Sequence, residues 1–388
     1  MRRKNECTLI CSVFINIVIN ILDMKNLRYI TEKIHSKSLE GNPLNSPADR
    51  QFMIYLPPGY HEPVEKRYPV IYLLHGYCEE IDDLLVGTKK YLKKSYPLFY
   101  RLLLWKSFKK RPKYEDFDTM IINQEIQPFI LVQPDCSLKI PDIYGRKKGN
   151  GLPFMKGSFY LNSPYTGNYS DYIFDELINF VDIKYRTIPN KEHRALMGAS
   201  MGGYGTLYGC LKYPEKFNVG VALSPVLSFL DILEIKFIMP LYIRIYGKKK
   251  AEKLSSKDLG EIMDTFDLIF CNDNRLIPSI KRNSNGSIIE MNEFSKKKWM
   301  ENDIIEMVKN APNPFQNIKL LVNSEIADEF GLSTQIKTFQ QVLSEIGIEQ
   351  GVDIDIYYDK SSEKISPHEV GILSHLFPGI LYCLKNIT

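Results

Sequence analysis

The chain has 388 residues, 44% of them hydrophobic and 25% charged, a balance that excludes a disordered or fibrous protein. Lys and Arg number 50 against 46 Asp and Glu, a net charge of +4, which is too even for a nucleic-acid partner. A chain of this length fits two or three units of about 150 residues, or one large α/β domain enlarged by insertions.

Arg2, Arg3 and Lys4 precede an apolar run from Leu9 to Leu22, the arrangement of a signal peptide or anchor. Against that reading, Ser12, Asn16 and Asn20 recur every fourth residue, and no small-residue cleavage site follows. The run is also shorter than the ~20 residues a membrane span needs. Residues 1–25 are therefore read as an extension, with translation starting at Met24 as one form of it. Membrane contact would be confined to this segment and is not expected.

Further along, short β-rich runs alternate with helical ones. Gln51 to Leu56 reads as a strand ending at Pro57-Pro58-Gly59. Pro69 to Leu74 is a continuous apolar run before His75-Gly76, as in a strand buried on both faces, and Phe129 to Gln133 is another. Tyr172 to Tyr185 has helical spacing, Arg194 to Met197 is a short strand, and a helix is expected from Gly205. Val219 to Leu223 and Ile318 to Val322 are strands, and Thr334 to Ile346 is helical. Val352 to Tyr358 alternates apolar and polar residues, the mark of a strand near a sheet edge. Val370 to Leu384 is helical, with Pro378 expected to kink or interrupt it. This order predicts an α/β fold, a mostly parallel sheet with helices on both faces. Two stretches, at about residues 84–127 and 229–315, are too long for plain connections and are read as lid-like insertions. In the second, Phe229 to Tyr246 is dense in apolar side chains, and Phe237 and Ile238 are candidates to line an apolar pocket.

The seven cysteines show no C-x-x-C spacing and no His at zinc-site spacing, so no metal and no cofactor is expected. A reducing, cytoplasmic setting is the simplest reading, with a secreted or anchored protein as the alternative.

Gly198-Ala199-Ser200-Met201-Gly202 fits G-x-S-x-G between a strand and a helix. Such a serine sits on a strained turn whose flanking residues must be small. It needs a base, and in this fold the acid and then the histidine follow it in the chain. His368 and His375 are the downstream histidines. His368 follows a polar loop, Ser361 to Pro367, and is the expected base, while His375 falls inside the helix. Glu325, Asp328 and Glu329 are the candidate acids after the Ile318 to Val322 strand, with Asp328 at the favoured loop position. The oxyanion donors are expected to be the N–H groups of Met201 and Tyr77, with His75 bracing the loop that carries Tyr77.

These residues lie in segments that resemble the putative-esterase family of α/β-hydrolases, which includes esterase D type enzymes, feruloyl and acetyl xylan esterases and mycolyltransferases. The segments are YLPPGY, YPVIYLLHGY, SFYLNSPYTGNYSDYIFDELINFVDIKYRTI, HRALMGASMGGYGTLYGCLKYPEKF, VALSP and DEFGL, collinear from about residue 26 to the C-terminus. The family usually has Gly before its histidine, where this chain has Pro367. The resemblance implies a serine carboxylesterase on a small-molecule ester, an acyltransferase with the same triad being the alternative. It also implies substrate contacts for Tyr160 and Asn162, which as residues read equally well as structural. A non-catalytic binding protein is disfavoured by the intact Ser, Asp and His in the expected order.

Overall fold

The computed structural model describes residues 29–387 except 62–64, 78, 80, 82–83, 86–112, 141–153, 234–264, 271–279, 283–287, 327, 329, 349–353 and 360–367. The N-terminal extension, most of the first insertion, Phe237, Ile238 and the loop ending at Pro367 lie outside the described residues.

Eight strands form one sheet among the described residues: β1 (Tyr29–His35), β2 (Asp49–Tyr55), β3 (Val70–Leu74), β4 (Ile130–Pro134), β5 (Arg194–Ala199), β6 (Val219–Leu223), β7 (Lys319–Glu325) and β8 (Ile354–Asp359). Their order across the sheet is β1-β2-β4-β3-β5-β6-β7-β8. The β1–β2 and β2–β4 pairs are antiparallel, and every other pair is parallel. The alternating strand read near the C-terminus is indeed the edge strand β8.

Strand side chains alternate between two cores, because successive Cβ atoms point to opposite faces of the sheet. Val70, Tyr72 and Leu74 of β3 pack on one side and Ile71 and Leu73 on the other. Both sets must be apolar because helices cover both faces, which is why β3, β5 and β6 are buried along their whole length. The second core is roofed by α1 (Tyr114–Ile122) and, at the far end of the chain, by α7 (His368–Asn386). The first is roofed by α2 (Ile178–Lys184), α3 (Met201–Lys212) and α6 (Leu332–Glu345). A π-helical stretch, Tyr172–Leu177, leads into α2.

Several boundaries depart from expectation. Helix α3 begins at Met201, directly after Ser200, four residues earlier than its spacing suggested. Strand β7 runs on to Glu325, which places that carboxylate at the end of a strand instead of in a loop. Helix α7 starts at His368 itself and continues through Pro378. Pro378 and Ser374, whose carbonyl loses its helical partner, both face solvent, so water can satisfy the freed group. Helix α1 belongs to the core and not to a lid: Phe117 is buried against Tyr55 and Phe129. Strand β1 was not legible at all, since its burial alternates only between exposed and partly covered positions until Ile34.

In the second insertion the described residues include a two-stranded pair, Ile280–Arg282 with Ile288–Met291, and the helices α4 (Glu293–Glu301) and α5 (Ile304–Asn310). Phe229, Phe266, Phe270 and Trp299 pack there as an aromatic cluster that also touches Phe159 and Tyr204. Asp303 caps α5 through the Ile305 and Glu306 N–H groups and also accepts from the Phe229 N–H, tying the insertion to the chain leaving β6.

Candidate active site

The Ser200 turn is fixed by backbone packing. Ser200 has φ 56° and ψ −115°, a sparsely populated conformation held between the end of β5 and the start of α3. Its N–H donates to the Leu223 carbonyl of the neighbouring strand at 2.9 Å, and its own carbonyl starts the helix by accepting from Tyr204 at 3.0 Å. A Cβ on Gly198 would meet the backbone of Gly202, and one on Gly202 would meet the Leu74 carbonyl and lie 2.9 Å from His75 O. Glycine at both positions lets α3 drop onto the end of β3. That contact brings the start of α3 beside the backbone of His75, on the loop that carries Tyr77. The Met201 and Tyr77 side chains converge over Gly157.

The expected base and acid meet. His368 Nδ1 and Asp328 Oδ2 are 2.5 Å apart in a pair with almost no exposure. The other carboxylate oxygen, Oδ1, accepts from the Phe330 N–H at 2.9 Å, which fixes the plane of the acid. The Phe330 ring stands edge-on to the imidazole, with centroids 5.1 Å apart and planes at 81°. Gly331, in the left-handed conformation at φ 69°, then turns the chain into α6. The Asp-x-Phe-Gly sequence therefore supplies the carboxylate paired with His368, the N–H that orients it, the ring that wedges the histidine and the turn. Of these, sequence reasoning had singled out only the acid. Glu325 is buried nearby, against Gly371 of α7. His375 lies one to two turns further along that helix and binds the Gly371 carbonyl at 2.8 Å.

Ser200 follows β5, Asp328 follows β7, and α7 crosses beneath β5 and β6, where Gly379 meets Met197 and Val221. All three groups thus lie at the carboxyl-terminal edge of the parallel strands, where open α/β sheets place their ligands. Among the described residues no group of His, Cys, Asp and Glu is arranged to hold a metal, and no helix is long and apolar enough to cross a membrane.

The two residues expected to touch substrate are engaged within the protein. Tyr160 is wholly buried, and its hydroxyl donates to the His75 carbonyl at 2.7 Å. Burial holds its phenol well above the ordinary range, so it remains a donor. Asn162 is exposed; its oxygen accepts from the Ser170 N–H at 2.9 Å and its amide donates to Asp171 at 2.8 Å, holding the start of the helical segment before α2. Tyr160 thus holds the loop after β3, while Asn162 holds the start of that helical segment from an exposed position.

A family model described as "Putative esterase" matches residues 45–350. An endo-1,4-beta-xylanase/feruloyl esterase of Xylanibacter ruminicola is 30% identical over 174 residues, 44% of this chain and 19% of that protein. An acetyl esterase of Caldicellulosiruptor saccharolyticus is 31% identical over 121 residues, 29% of this chain and 45% of the relative. The chain thus spans less than half the length of either curated relative. Among solved structures, a ferulic acid esterase superposes with a TM-score of 0.56 at 17% identity, over 93% of this chain and 98% of that one. An S-formylglutathione hydrolase from Agrobacterium tumefaciens does so with 0.50 at 16%, over 93% and 95%. This likeness gives the fold, an α/β-hydrolase. With the family match covering most of the chain, the protein belongs to the putative-esterase family.

Proposed function

We propose that the protein is a serine carboxylesterase in which Ser200 is the nucleophile, His368 the general base and Asp328 the orienting acid. The observation that carries this reading is the buried His368–Asp328 pair at the sheet edge that also bears the strained Ser200 turn. With Nδ1 donating to Asp328, the remaining imidazole nitrogen, Nε2, is the one free of its proton and able to take one from Ser200 Oγ. The hydroxyl then attacks the ester carbonyl, and the oxyanion that develops is met by the N–H groups of Met201 and Tyr77. Collapse expels the alcohol, which takes the proton from His368, and leaves an acyl-enzyme. Water, deprotonated by the same histidine, releases the acid. The names of the curated relatives, feruloyl and acetyl esterase, support a small-molecule carboxylic ester as substrate.

A fluorophosphonate probe, followed by peptide mass mapping, should label Ser200, and the purified protein should hydrolyse nitrophenyl esters. Labelling at another residue, or hydrolysis that survives loss of the Ser200 hydroxyl, would remove the assignment.

A further inference from the structure

The two peptide units after β3, His75–Gly76 and Gly76–Tyr77, are held by side chains that the mechanism above does not use. His75 directly follows β3 and is buried. Its Nε2 accepts from the Cys136 N–H at 2.9 Å, so that nitrogen carries no proton. The proton therefore resides on Nδ1, which donates to the Gly76 carbonyl oxygen at 2.8 Å. Burial pushes the His75 pKa down, outweighing the opposing influence of Asp135 and the Gly76 carbonyl, so the ring stays neutral.

Behind Cys136 stands a second layer. Arg50, 1% exposed, donates to Asp135 Oδ2 at 3.3 Å and to the Ser137 carbonyl at 2.9 Å. Asp135 Oδ1 in turn accepts from the Ser137 N–H at 2.9 Å and the Ser137 hydroxyl at 2.6 Å. The turn is thus pinned on both sides of Cys136, and its N–H is aimed at His75. On the other flank the Tyr160 hydroxyl donates to His75 O, and the Glu79 carboxylate accepts from the Gly76 N–H.

The Gly76 carbonyl and the Tyr77 N–H belong to one conjugated, planar peptide. A hydrogen bond accepted at an amide oxygen draws electron density from its nitrogen and strengthens the N–H as a donor, the cooperative effect of hydrogen-bond chains. We propose that His75, held in its Nδ1–H form by the Cys136 N–H and the Arg50–Asp135 pair, is a positioning residue that orients and polarises the Gly76–Tyr77 peptide as an oxyanion donor. This rests on the roles given above to Ser200 and Tyr77. A residue that held the loop by packing alone would not depend on which ring nitrogen holds the proton.

Two substitutions separate the two nitrogens. His75→Gln retains an acceptor near the Nε2 position for Cys136 and loses the donor to Gly76, whereas His75→Asn retains a donor near Nδ1. Removing an oxyanion donor outright costs about 10²–10³ in kcat, so weakening one should cost less. With nitrophenyl acetate, His75→Gln should lower kcat by roughly 10- to 100-fold with KM within about threefold, and His75→Asn should stay within about fivefold of wild type. Equal losses in the two variants, or a loss carried by KM, would overturn the proposal. If either variant does not fold, nitrogen NMR of the wild type decides. His75 should be the Nδ1–H tautomer, and its Nδ1 proton should move downfield when a trifluoromethyl ketone forms an oxyanion adduct at Ser200. An Nε2–H tautomer, or a resonance unmoved by the adduct, overturns it. Fluorophosphonate labelling of Ser200 in the same samples keeps the two readings apart. Without labelling the esterase mechanism falls, whereas labelling with a fully active His75→Gln removes only the role of His75.

Discussion

Ser200 and the glycines that shape its turn lie within Gly198 to Gly202, whereas His368 and Asp328 meet across 40 residues of chain. The turn is enforced by backbone against backbone: Gly198 against Gly202, and Gly202 against the end of β3. The pair is enforced by side-chain hydrogen bonds and one aromatic edge, supplied by Asp328, Phe330 and His368. Backbone contacts leave no room to adjust, so the turn should fail abruptly when altered. Side-chain contacts can be removed one at a time, so the pair should weaken in steps.

The sharpest break is Ser200→Ala, which should reduce ester turnover on the order of 10⁵- to 10⁶-fold without lowering the melting temperature, because the proposed acyl-enzyme forms on its hydroxyl. Assay by steady-state hydrolysis and calorimetry checks both halves of that statement. In the distant pair, Asp328→Asn should cost about 10⁴ in kcat by upsetting the tautomer and orientation of His368. Glu325→Gln should cost far less, although Glu325 is equally buried. A reversal of those two results would move the acid to the end of β7.

Smaller effects contrast the two plans in stability. Gly202→Ala places a methyl against the Leu74 carbonyl and should destabilise the fold by about 1–3 kcal/mol, read by denaturant unfolding. Phe330→Leu keeps the apolar bulk but loses the ring edge on His368, at about 0.5–1.5 kcal/mol. Should the glycine substitution prove the milder of the two, the idea of a rigid backbone turn is wrong.

A last test lies outside both regions and serves as a control. Burial pushes the Asp303 carboxyl up to about 6, against its hydrogen bonds from Ser228 and the Glu306, Phe229 and Ile305 N–H groups. The folded protein then holds a proton that the unfolded chain has lost. This stabilisation is full below about pH 4 and disappears as pH rises through about 6. Relative to Asp303→Asn, the wild type should lose stability across that window, with a slope of at most about 1.4 kcal/mol per pH unit. Equal slopes in the two proteins would show that Asp303 titrates normally.

Legibility in the sequence followed the same division. Strands β3 and β6 could be read almost to the residue because both their faces are buried, which leaves an unbroken apolar run. Strand β1 could not, since only Ile34 of its seven residues is buried and a polar run carries no such signal. His368, expected on a loop, is the first residue of α7, because the proline and polar residues before it say where a helix cannot be, and not where the next begins. Among the carboxylates after the Ile318 to Val322 strand, Asp328 stands out by its loop position. The Phe330 N–H and ring that hold it in place against His368 leave no signal in the sequence.

By itself the sequence determined the serine turn, the parallel α/β scaffold and the order of the three chemical groups. Each of these is a local requirement, small residues at a tight turn or apolar runs on a buried strand, and so is written in consecutive residues. Only the tertiary structure decided which carboxylate faces the histidine, that Tyr160 braces the His75 loop, and that Arg50 and Asp135 stand behind Cys136. Those contacts join residues 40 to 85 positions apart. Their partners are chosen by the path of the chain through space, which no short stretch of sequence encodes.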